Sequence, residues 1–409
     1  MKLRWSKVNS FNGNYTSPLL TYYRACPVCG GIESRLVCSL EDFQFYSDSA
    51  DLPKRINIRQ NQCAHCYAIF LNPCFSDLGY KILFAEAGQS YGSTAGRPQE
   101  LVAWMSQRGL LHSGARVLDV GCYDGSFLAQ LPDNLQRTGV DIDRQSIETG
   151  RSKFGDKGIE LVCGEFANFQ YSGSPDTITM FHVLEHLPNP VAALRKLRQI
   201  AHGNTRLVVE VPILEKGATN DINGFFSVQH TTHFSRTSFV NCLAISGWKV
   251  IDCIAQDTYN GFRIIAEPAE ELVEIEGYIG DSNALNRYLS SWYRSLADVD
   301  EILVSLPDFA KCVIWGGGAH SEFLYQATSF FLANARREYM IVDRDPCKEG
   351  KSWRGIRIHS PEILQSMDLS ETLLLISSYG NQEMIAREAL ALGVPEKNIV
   401  RLYQQTIAY

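Results

Sequence analysis

Four cysteines near the start of the chain have the spacing of metal ligands. They form two C-x-x-C pairs, Cys26 with Cys29 and Cys63 with Cys66. Each pair can bind one ion from a tight turn, and four thiolates satisfy tetrahedral Zn²⁺ with no position left open for catalysis. The alternative is four free thiols, which a doubled C-x-x-C pattern disfavours. The spacing therefore predicts a structural zinc site.

Two histidine-rich segments carry residues suited to proton transfer. They read His182-Val-Leu-Glu185-His186 and His230-Thr-Thr-His233. A neutral imidazole near pH 7 can take a proton from a carbon acid or a hydroxyl, and Glu185 can orient His186. We take His230 as the first candidate for the base, with His186 assisting and His233 either packing its loop or contacting substrate. Alternatively, His182 packs in a core and Glu185 caps the following helix; an H-x-x-H metal site would need further ligands.

A strand, a glycine turn and a helix are predicted in succession at residues 116–131, with the helix at 126–131. Gly121 and Gly125 give the spacing G-x-x-x-G, which differs from the G-x-G-x-x-G of dinucleotide folds. Glycines let backbone N–H groups approach a ligand closely. Asp141 ends the next strand, about 20 residues later, where a carboxylate can accept both hydroxyls of a ribose. The alternative for Asp141 is an exposed turn acid.

The elements that position these residues alternate between strand and helix, which predicts an α/β fold with a doubly wound sheet. Strands are predicted to begin at residues 137, 159, 176 and 207, with helices at 146–154, from 191, and at 237–246. A last antiparallel pair is predicted at 248–253 and 261–266.

The strand, glycine turn and helix recur at residues 311–323, where the turn contains Gly316 and Gly318. Strands at 340–343, 355–361 and 372–377 and a helix at 383–392 predict a second, smaller Rossmann-like domain after a helical linker. Because this domain also lacks G-x-G-x-x-G, NAD binding is the weaker interpretation. We predict three domains: a zinc-binding module at 1–85, a core at 86–266, and the linker with the Rossmann-like domain at 267–409.

Composition limits the possible functions. The 409 residues are 45% hydrophobic, and 38 basic against 45 acidic residues give a net charge of −7, which argues against nucleic-acid binding. The start of the chain lacks an apolar core of signal-peptide length, and no run of about 18 apolar residues appears. We expect a cytoplasmic protein with reduced thiols, a small-molecule substrate and no membrane partner.

The glycine-turn sequence VLDVGCYDGSFL resembles motif I of class I S-adenosylmethionine (SAM)-dependent methyltransferases, and FHVLEHL resembles their fourth motif. The resemblance implies SAM as cofactor, with Asp141 on its ribose and Glu165 and Phe166 near its adenine. The residues that the resemblance places around the cofactor are Asp119, Gly121, Tyr123, Gly125, Asp141, Ile142, Glu165, Phe166 and His182.

The order of the whole chain is similar to that of sugar C-methyltransferases. These have a two-knuckle zinc module, a SAM fold with a histidine substrate loop, and a C-terminal Rossmann-like domain. The resemblance implies methylation of C3 of a nucleotide-linked 4-keto-6-deoxy sugar through an enolate, with a histidine base. It places Gly316, Gly318, Ala319 and His320 near the nucleotide, and we expect Tyr80 and Tyr91 to close over the sugar.

The substrate loop departs from the family pattern at two positions. The family has a tyrosine and an acid before the histidine, whereas this chain has Ser227 and Gln229 before His230. An amide cannot hold an imidazolium as a carboxylate does. Methylation of a sugar hydroxyl oxygen therefore stays open as an alternative, with Gln229 near the substrate in either case. A non-catalytic, zinc-stapled SAM-binding scaffold is a second alternative.

Overall fold

The computed structural model describes residues 20–45, 54–84, 96–226, 229–255, 260–271, 282–307, 309–333 and 338–406. Tyr91 and Ser227, both named above, lie outside these ranges. Among the helices within them, none combines the length and the apolar character that crossing a bilayer requires.

The N-terminal part is a small β structure with three of the four cysteines in its loops and turns and Cys63 at the end of a strand. Its elements are β1 (Thr21–Tyr22), β2 (Ser34–Phe45), β3 (Lys54–Cys63), β4 (Ile69–Leu71), β5 (Cys74–Phe75) and α1 (Asp77–Phe84). Strands β2, β3 and β4 form an antiparallel meander, and β1 pairs with β5.

The central part forms a seven-stranded sheet flanked by helices. Its elements are α2 (Arg97–Gln107), β6 (Arg116–Val120), β7 (Gln136–Asp141), α3 (Arg144–Phe154), β8 (Ile159–Cys163), β9 (Thr177–Phe181), α4 (Pro190–Ile200), β10 (Arg206–Pro212), β11 (Thr232–His233), α5 (Arg236–Ile245), β12 (Trp248–Ala255) and β13 (Gly261–Pro268). The strand order is β12-β13-β10-β9-β6-β7-β8, parallel from β10 to β8, with β13 antiparallel to both its neighbours. The doubly wound α/β sheet predicted from the sequence is confirmed. Its order reverses between β6 and β9, and such a switch point opens a crevice at the carboxyl ends of the strands.

One predicted element is wrong. Residues 126–131 do not form an α-helix, and only a 3₁₀ turn at Leu128–Gln130 is present. Pro132 follows directly, and the residue before a proline is disfavoured in helical geometry. Leu131 is accordingly extended, with ψ of 149°.

Strand β11 links the first two parts. It lies outside the seven-stranded sheet and pairs antiparallel with β4, so that the N-terminal sheet has the order β11-β4-β3-β2. The backbone N–H of Leu71 also donates to the carbonyl of Thr231. The second histidine segment is therefore held by the cysteine-bearing part of the chain.

The C-terminal part is a second parallel α/β unit preceded by a long helix. Its elements are α6 (Ser282–Val304), β14 (Lys311–Trp315), α7 (Ala319–Ala327), α8 (Phe330–Ala333), β15 (Glu338–Val342), β16 (Ser352–Trp353), β17 (Ile356–His359), β18 (Thr372–Ile376), α9 (Gln382–Ala391) and β19 (Ile399–Val400). The order is β16-β17-β15-β14-β18-β19, and only β16 runs antiparallel.

A single apolar core joins the N-terminal sheet to the C-terminal unit. Phe43 of β2 packs on Phe323 of α7 with ring centroids 5.2 Å apart, and both side chains are buried. Arg354 adds an ionic contact, because its guanidinium donates to Asp42 of β2 and to Glu322 of α7. On α6, Trp292 is 2% exposed and donates to the carbonyl of Ile222 in the central part. The aromatic residues of the long helix therefore serve packing between parts of the chain.

Candidate active site

A cleft of about 990 Å³ lies at the carboxyl ends of β6, β7 and β9. This volume suits a small-molecule ligand. Six carboxylate residues and only two of lysine or arginine line it, so the cleft favours a cationic ligand. The acids are Asp77, Asp119, Asp124, Asp141, Asp143 and Glu165.

The glycine turn after β6 forms one wall of the cleft. Gly121 has φ of +76°, and a Cβ there would lie 2.1 Å from Cγ2 of Val183. Gly125 has φ of +75°, with a Cβ position 2.8 Å from Leu161. Tyr123 between them adopts φ of +52°. Glycine is required at both positions because the backbone conformation and the lack of space each exclude a side chain.

Asp141 is fixed at the end of β7 by two backbone groups. Its carboxylate accepts the N–H of Tyr123 and the N–H of Asp143, each at 2.8 Å. Burial raises the pKa of Asp141, and the two N–H donors oppose that rise. The next residue, Ile142, is 42% exposed at the cleft, an apolar surface suited to a ring system.

Asp119, at the cleft end of β6, is buried. It accepts a hydrogen bond from Oγ1 of Thr179 at 2.6 Å. Burial raises the pKa of Asp119 to about 7, although the threonine hydroxyl lowers it. Glu165 and Phe166 line the cleft beyond β8, and Nζ of Lys196 lies 5.2 Å from the centre of the Phe166 ring.

His182 follows β9 with a left-handed backbone, φ of +55°. Its Nε2 lies 3.0 Å from Oε1 of Glu210, and its Nδ1 lies 3.4 Å from Oε1 of Glu185. Burial opposes charge on this ring, but the two carboxylates outweigh it and raise the pKa of His182 to about 9. His182 is therefore an imidazolium held between two acids.

Glu210 is a site residue that the sequence analysis missed. It is fully buried in β10 and pairs with Arg97 at 2.5 Å and Arg263 at 2.6 Å. Burial raises the pKa of Glu210, but His182 and the two arginines outweigh it and lower the pKa to about 2. The signal was present, because Glu210 interrupts the apolar strand LVVEV and buried carboxylates need partners.

His186 lines the cleft, and His230 and His233 lie next to it. The His186 and His230 ring centroids are 4.7 Å apart, and those of His230 and His233 are 5.6 Å apart. Burial lowers the pKa of all three, to about 3 for His233, so the rings are neutral near pH 7. Phe225 and Phe226 pack against the buried His233 ring, with centroid distances of 5.3 and 5.1 Å.

The orienting partner of His186 differs from the one predicted. Nε2 of His186 lies 4.0 Å from Glu185, which is longer than a hydrogen bond. Nδ1 of His186 lies 3.1 Å from the backbone carbonyl of Gln229. The Tyr80 hydroxyl donates to the carbonyl of His186 at 2.9 Å, and Tyr80 lines the cleft. A backbone carbonyl and a tyrosine hydroxyl, from two distant segments, thus hold this histidine.

The four cysteine sulfurs lie within 4.8 Å of one another. Cys26 and Cys66 have their sulfurs 3.5 Å apart, as do Cys29 and Cys63. Tetrahedral bonds of about 2.3 Å to Zn²⁺ separate sulfurs by about 3.8 Å, so these residues fit the ion. The backbone N–H of His65 points at the Cys63 sulfur at 3.4 Å, as expected around a thiolate ligand.

The second glycine turn, after β14, repeats the first with one difference. The N–H of Gly317 donates to Asp343 at 2.8 Å, as Tyr123 does to Asp141. Here, however, Nζ of Lys348 also pairs with Asp343, at 3.1 Å. Gly316 has φ of +125°, and a Cβ there would lie 2.5 Å from a backbone oxygen, whereas a Cβ at Gly318 would meet only Nζ of Lys348, at an ordinary contact distance of 3.7 Å.

His320 is buried beneath this second turn with both ring nitrogens engaged. Nδ1 lies 3.0 Å from the Ser377 hydroxyl and Nε2 lies 2.6 Å from the Tyr403 hydroxyl. Burial lowers the pKa of His320 to about 3. Its contacts are therefore internal to the C-terminal unit.

A family model described as a methyltransferase domain matches residues 94–252. The O-methyltransferase cnsE of Penicillium expansum is 26% identical over 196 residues, which are 42% of this chain and 69% of that protein. The ubiquinone biosynthesis O-methyltransferase of Bordetella parapertussis is 29% identical over 105 residues, 24% of this chain and 44% of that relative. This chain thus spans less than half the length of the second relative.

Among solved structures, the CcbJ methyltransferase of Streptomyces caelestis aligns with a TM-score of 0.37 at 11% identity, covering 43% of this chain and 97% of that one. The family match covers the glycine turn and the five parallel strands from β6 to β10. The central part of this chain is a class I SAM-dependent methyltransferase domain.

Proposed function

We propose that this chain methylates a nucleotide-linked 4-keto-6-deoxy sugar at carbon, with SAM bound in the cleft and the sugar against His186 and His230. The observation that carries the proposal is the pair of neutral histidines beside the cleft that holds Gly121, Asp141 and Glu165. SAM, when bound, supplies an electrophilic methyl group on a sulfonium. The chain has to orient the acceptor and remove its proton.

The cleft residues suit this cofactor by charge and shape. Asp141, pinned by two N–H groups, presents its remaining lone pairs to a ribose, and Ile142 and Phe166 offer apolar contact to an adenine. The excess of carboxylates favours a cationic sulfonium. On the acceptor side, His230 accepts the proton α to the keto group, and Tyr80 closes over the sugar.

The C-terminal turn supports a handle site for the nucleotide. Nζ of Lys348 lies 3.7 Å from the position that a Cβ would take at Gly318, so the ammonium group is in contact distance of this turn. A cation beside a glycine turn suits a phosphate. His320, whose ring nitrogens bind Ser377 and Tyr403, positions this turn, and the cysteine cluster holds a structural Zn²⁺.

Methylation of a sugar oxygen is the second candidate. The relatives with the highest similarity reported above are named as O-methyltransferases. In addition, Gln229 cannot stabilise an imidazolium through its amide as an acid would, and its carbonyl serves His186. A hydroxyl held against the same histidines would be methylated by the same arrangement.

The experiment is incubation of the enzyme and SAM with a nucleotide-linked 4-keto-6-deoxy sugar that carries deuterium at C3. Carbon methylation gives a methylated product that has lost one deuterium, whereas oxygen methylation retains it. We expect His230→Gln to lose at least tenfold in rate, while His202→Gln, which alters a partly exposed histidine paired with Asp176, keeps the rate. If no nucleotide sugar gains a methyl group, the proposal is wrong.

A further inference from the structure

The side of the histidine group that faces Glu185 has the composition of a second metal site. Atoms of Glu185, His186 and His230 that can act as ligands all lie within 4.8 Å of one another. They come from two segments 45 residues apart, the 3₁₀ turn Leu184–His186 and the loop before β11. His233 is not part of this set, so the H-x-x-H spacing does not itself form the site.

Buried polar atoms in this set lack partners among the described residues. Glu185 is 1% exposed, and neither of its carboxylate oxygens accepts a hydrogen bond. Nδ1 of His230 is also buried without a partner. The His182 imidazolium, with Nδ1 3.4 Å from Oε1, compensates part of a charge on Glu185, but a buried carboxylate also needs partners for its remaining lone pairs.

The tautomer of His186 is fixed by the backbone. Its Nδ1 donates to the carbonyl of Gln229 at 3.1 Å, so Nε2 carries the lone pair. Metal-binding histidines typically donate their other ring N–H to a carbonyl or a carboxylate in this way. Gln229 therefore orients His186 through its backbone carbonyl and not through its side-chain amide.

We propose that Glu185, His186 and His230 bind one divalent transition-metal ion beside the acceptor side of the cleft. Two imidazole nitrogens and one carboxylate oxygen suit Zn²⁺ or a neighbouring first-row ion rather than Mg²⁺ or Ca²⁺. Three protein ligands leave positions for water or a substrate oxygen, unlike the closed cysteine site. Ligand bonds of about 2.0–2.1 Å require these atoms to move together by about 1 Å.

The metal site itself does not depend on the proposed function. Only the identity of the molecule in its open coordination position rests on that proposal. An acceptor oxygen would displace water from the ion, and the proton lost from the acceptor, from C3 of the ketone or from the oxygen of a hydroxyl, would pass to water in the cleft. A nitrogen bound to metal has no lone pair for a proton, so His230 can serve as the base of the proposed function only while the ion is absent, and water takes that role when His230 is a ligand. Both candidate acceptors, an enolised ketone and a sugar hydroxyl, offer such an oxygen.

The test is the metal content of the full chain after incubation with Co²⁺ and gel filtration, measured by mass spectrometry and absorption spectroscopy. We expect Glu185→Gln and His230→Gln each to hold one Co²⁺ fewer per chain than the wild type and to keep the thiolate-to-cobalt charge-transfer band. His202→Gln, the matched control, keeps the wild-type content. Binding of S-adenosylhomocysteine by calorimetry shows that each variant is folded.

The proposal is overturned if Glu185→Gln and His230→Gln bind as much Co²⁺ as the wild type, or if the wild type holds only the thiolate-bound ion. Glu185 would then be compensated by His182 alone. The methyl-transfer assay on the same samples separates the two proposals. Sugar methylation without the second ion refutes only the metal site, and a second ion without sugar methylation refutes only the proposed acceptor.

Discussion

Arg354 lies at the contact between the N-terminal sheet and the C-terminal unit, and we expect its substitution to lower the free energy of unfolding markedly. Its side chain is 9% exposed and its guanidinium contacts Glu322, which is fully buried, and Asp42 across the interface. Its central carbon also lies 4.5 Å from the ring centre of Tyr325. We consider the replacement Arg354→Met, which keeps the apolar stem and removes the charge.

The loss of stability depends on the buried Glu322 carboxylate that remains without its partner after the substitution. Removing one partner of a buried ion pair costs about 3–5 kcal/mol, because the other charge stays buried. Nε2 of Gln326 still donates to Glu322 at 2.8 Å, so we expect the lower end, about 3 kcal/mol. Replacing both partners, Glu322→Gln with Arg354→Met, removes the stranded charge and should recover about 2 kcal/mol of that loss.

The assay is urea unfolding of the four members of this double-mutant cycle, followed by circular dichroism and tryptophan fluorescence. Arg344→Met is the matched control, since Arg344 is 49% exposed and pairs with two acids that are also accessible to solvent, Glu362 and Glu388. An exposed pair of this kind contributes about 0–1 kcal/mol. If Arg354→Met destabilises no more than Arg344→Met, the reasoning about the buried pair is refuted.

Three further results are expected. Gly121→Ala should weaken S-adenosylhomocysteine binding at least tenfold in calorimetry, because the new Cβ meets Val183 at 2.1 Å and φ is +76°. The control variant Gly203→Ala, whose new Cβ has no atom within 4 Å, should bind S-adenosylhomocysteine as the wild type does. Equal affinities of the two variants would contradict this account. Cys63→Ser should lose the structural zinc and lower the melting temperature, and a zinc content equal to wild type would argue against the site. His320 stays neutral when folded because its pKa is about 3, whereas the unfolded chain binds a proton below its ordinary value of 6.5. Protonation of His320 in the unfolded chain should therefore cost about 2 kcal/mol of stability between pH 7.5 and pH 5, and His320→Gln should reduce the total fall by about that amount in unfolding measurements at the two pH values; an unchanged pH dependence would contradict the assignment.

The sequence predicted the central sheet well because its signals are local. A glycine turn after an apolar strand, an acid at the end of the next strand and Pro190 at a helix start each act within a few residues. The failure at residues 126–131 is also local, since Pro132 was present to indicate that the helix could not form.

What the sequence did not predict depends on contacts between distant residues. The partners of Glu210 are Arg97, His182 and Arg263, which span more than 160 positions of the chain. The hydrogen bond from His186 to the carbonyl of Gln229 likewise crosses 43 positions and involves a backbone atom, which no residue type identifies. Burial and pairing of such groups follow from the fold and not from spacing.

The pairing of β11 with β4 bears on how the chain reaches its native state. This two-residue strand can dock only after a segment about 160 residues earlier has formed its sheet, and the N–H of Thr231 then donates to the carbonyl of Glu185. Contacts of such long sequence separation form slowly, because loop closure must precede them. We expect the histidine loop to order late in folding. A fragment limited to residues 96–268 would contain all seven strands of the central sheet but would lose β4, the strand that pairs with β11 next to His230.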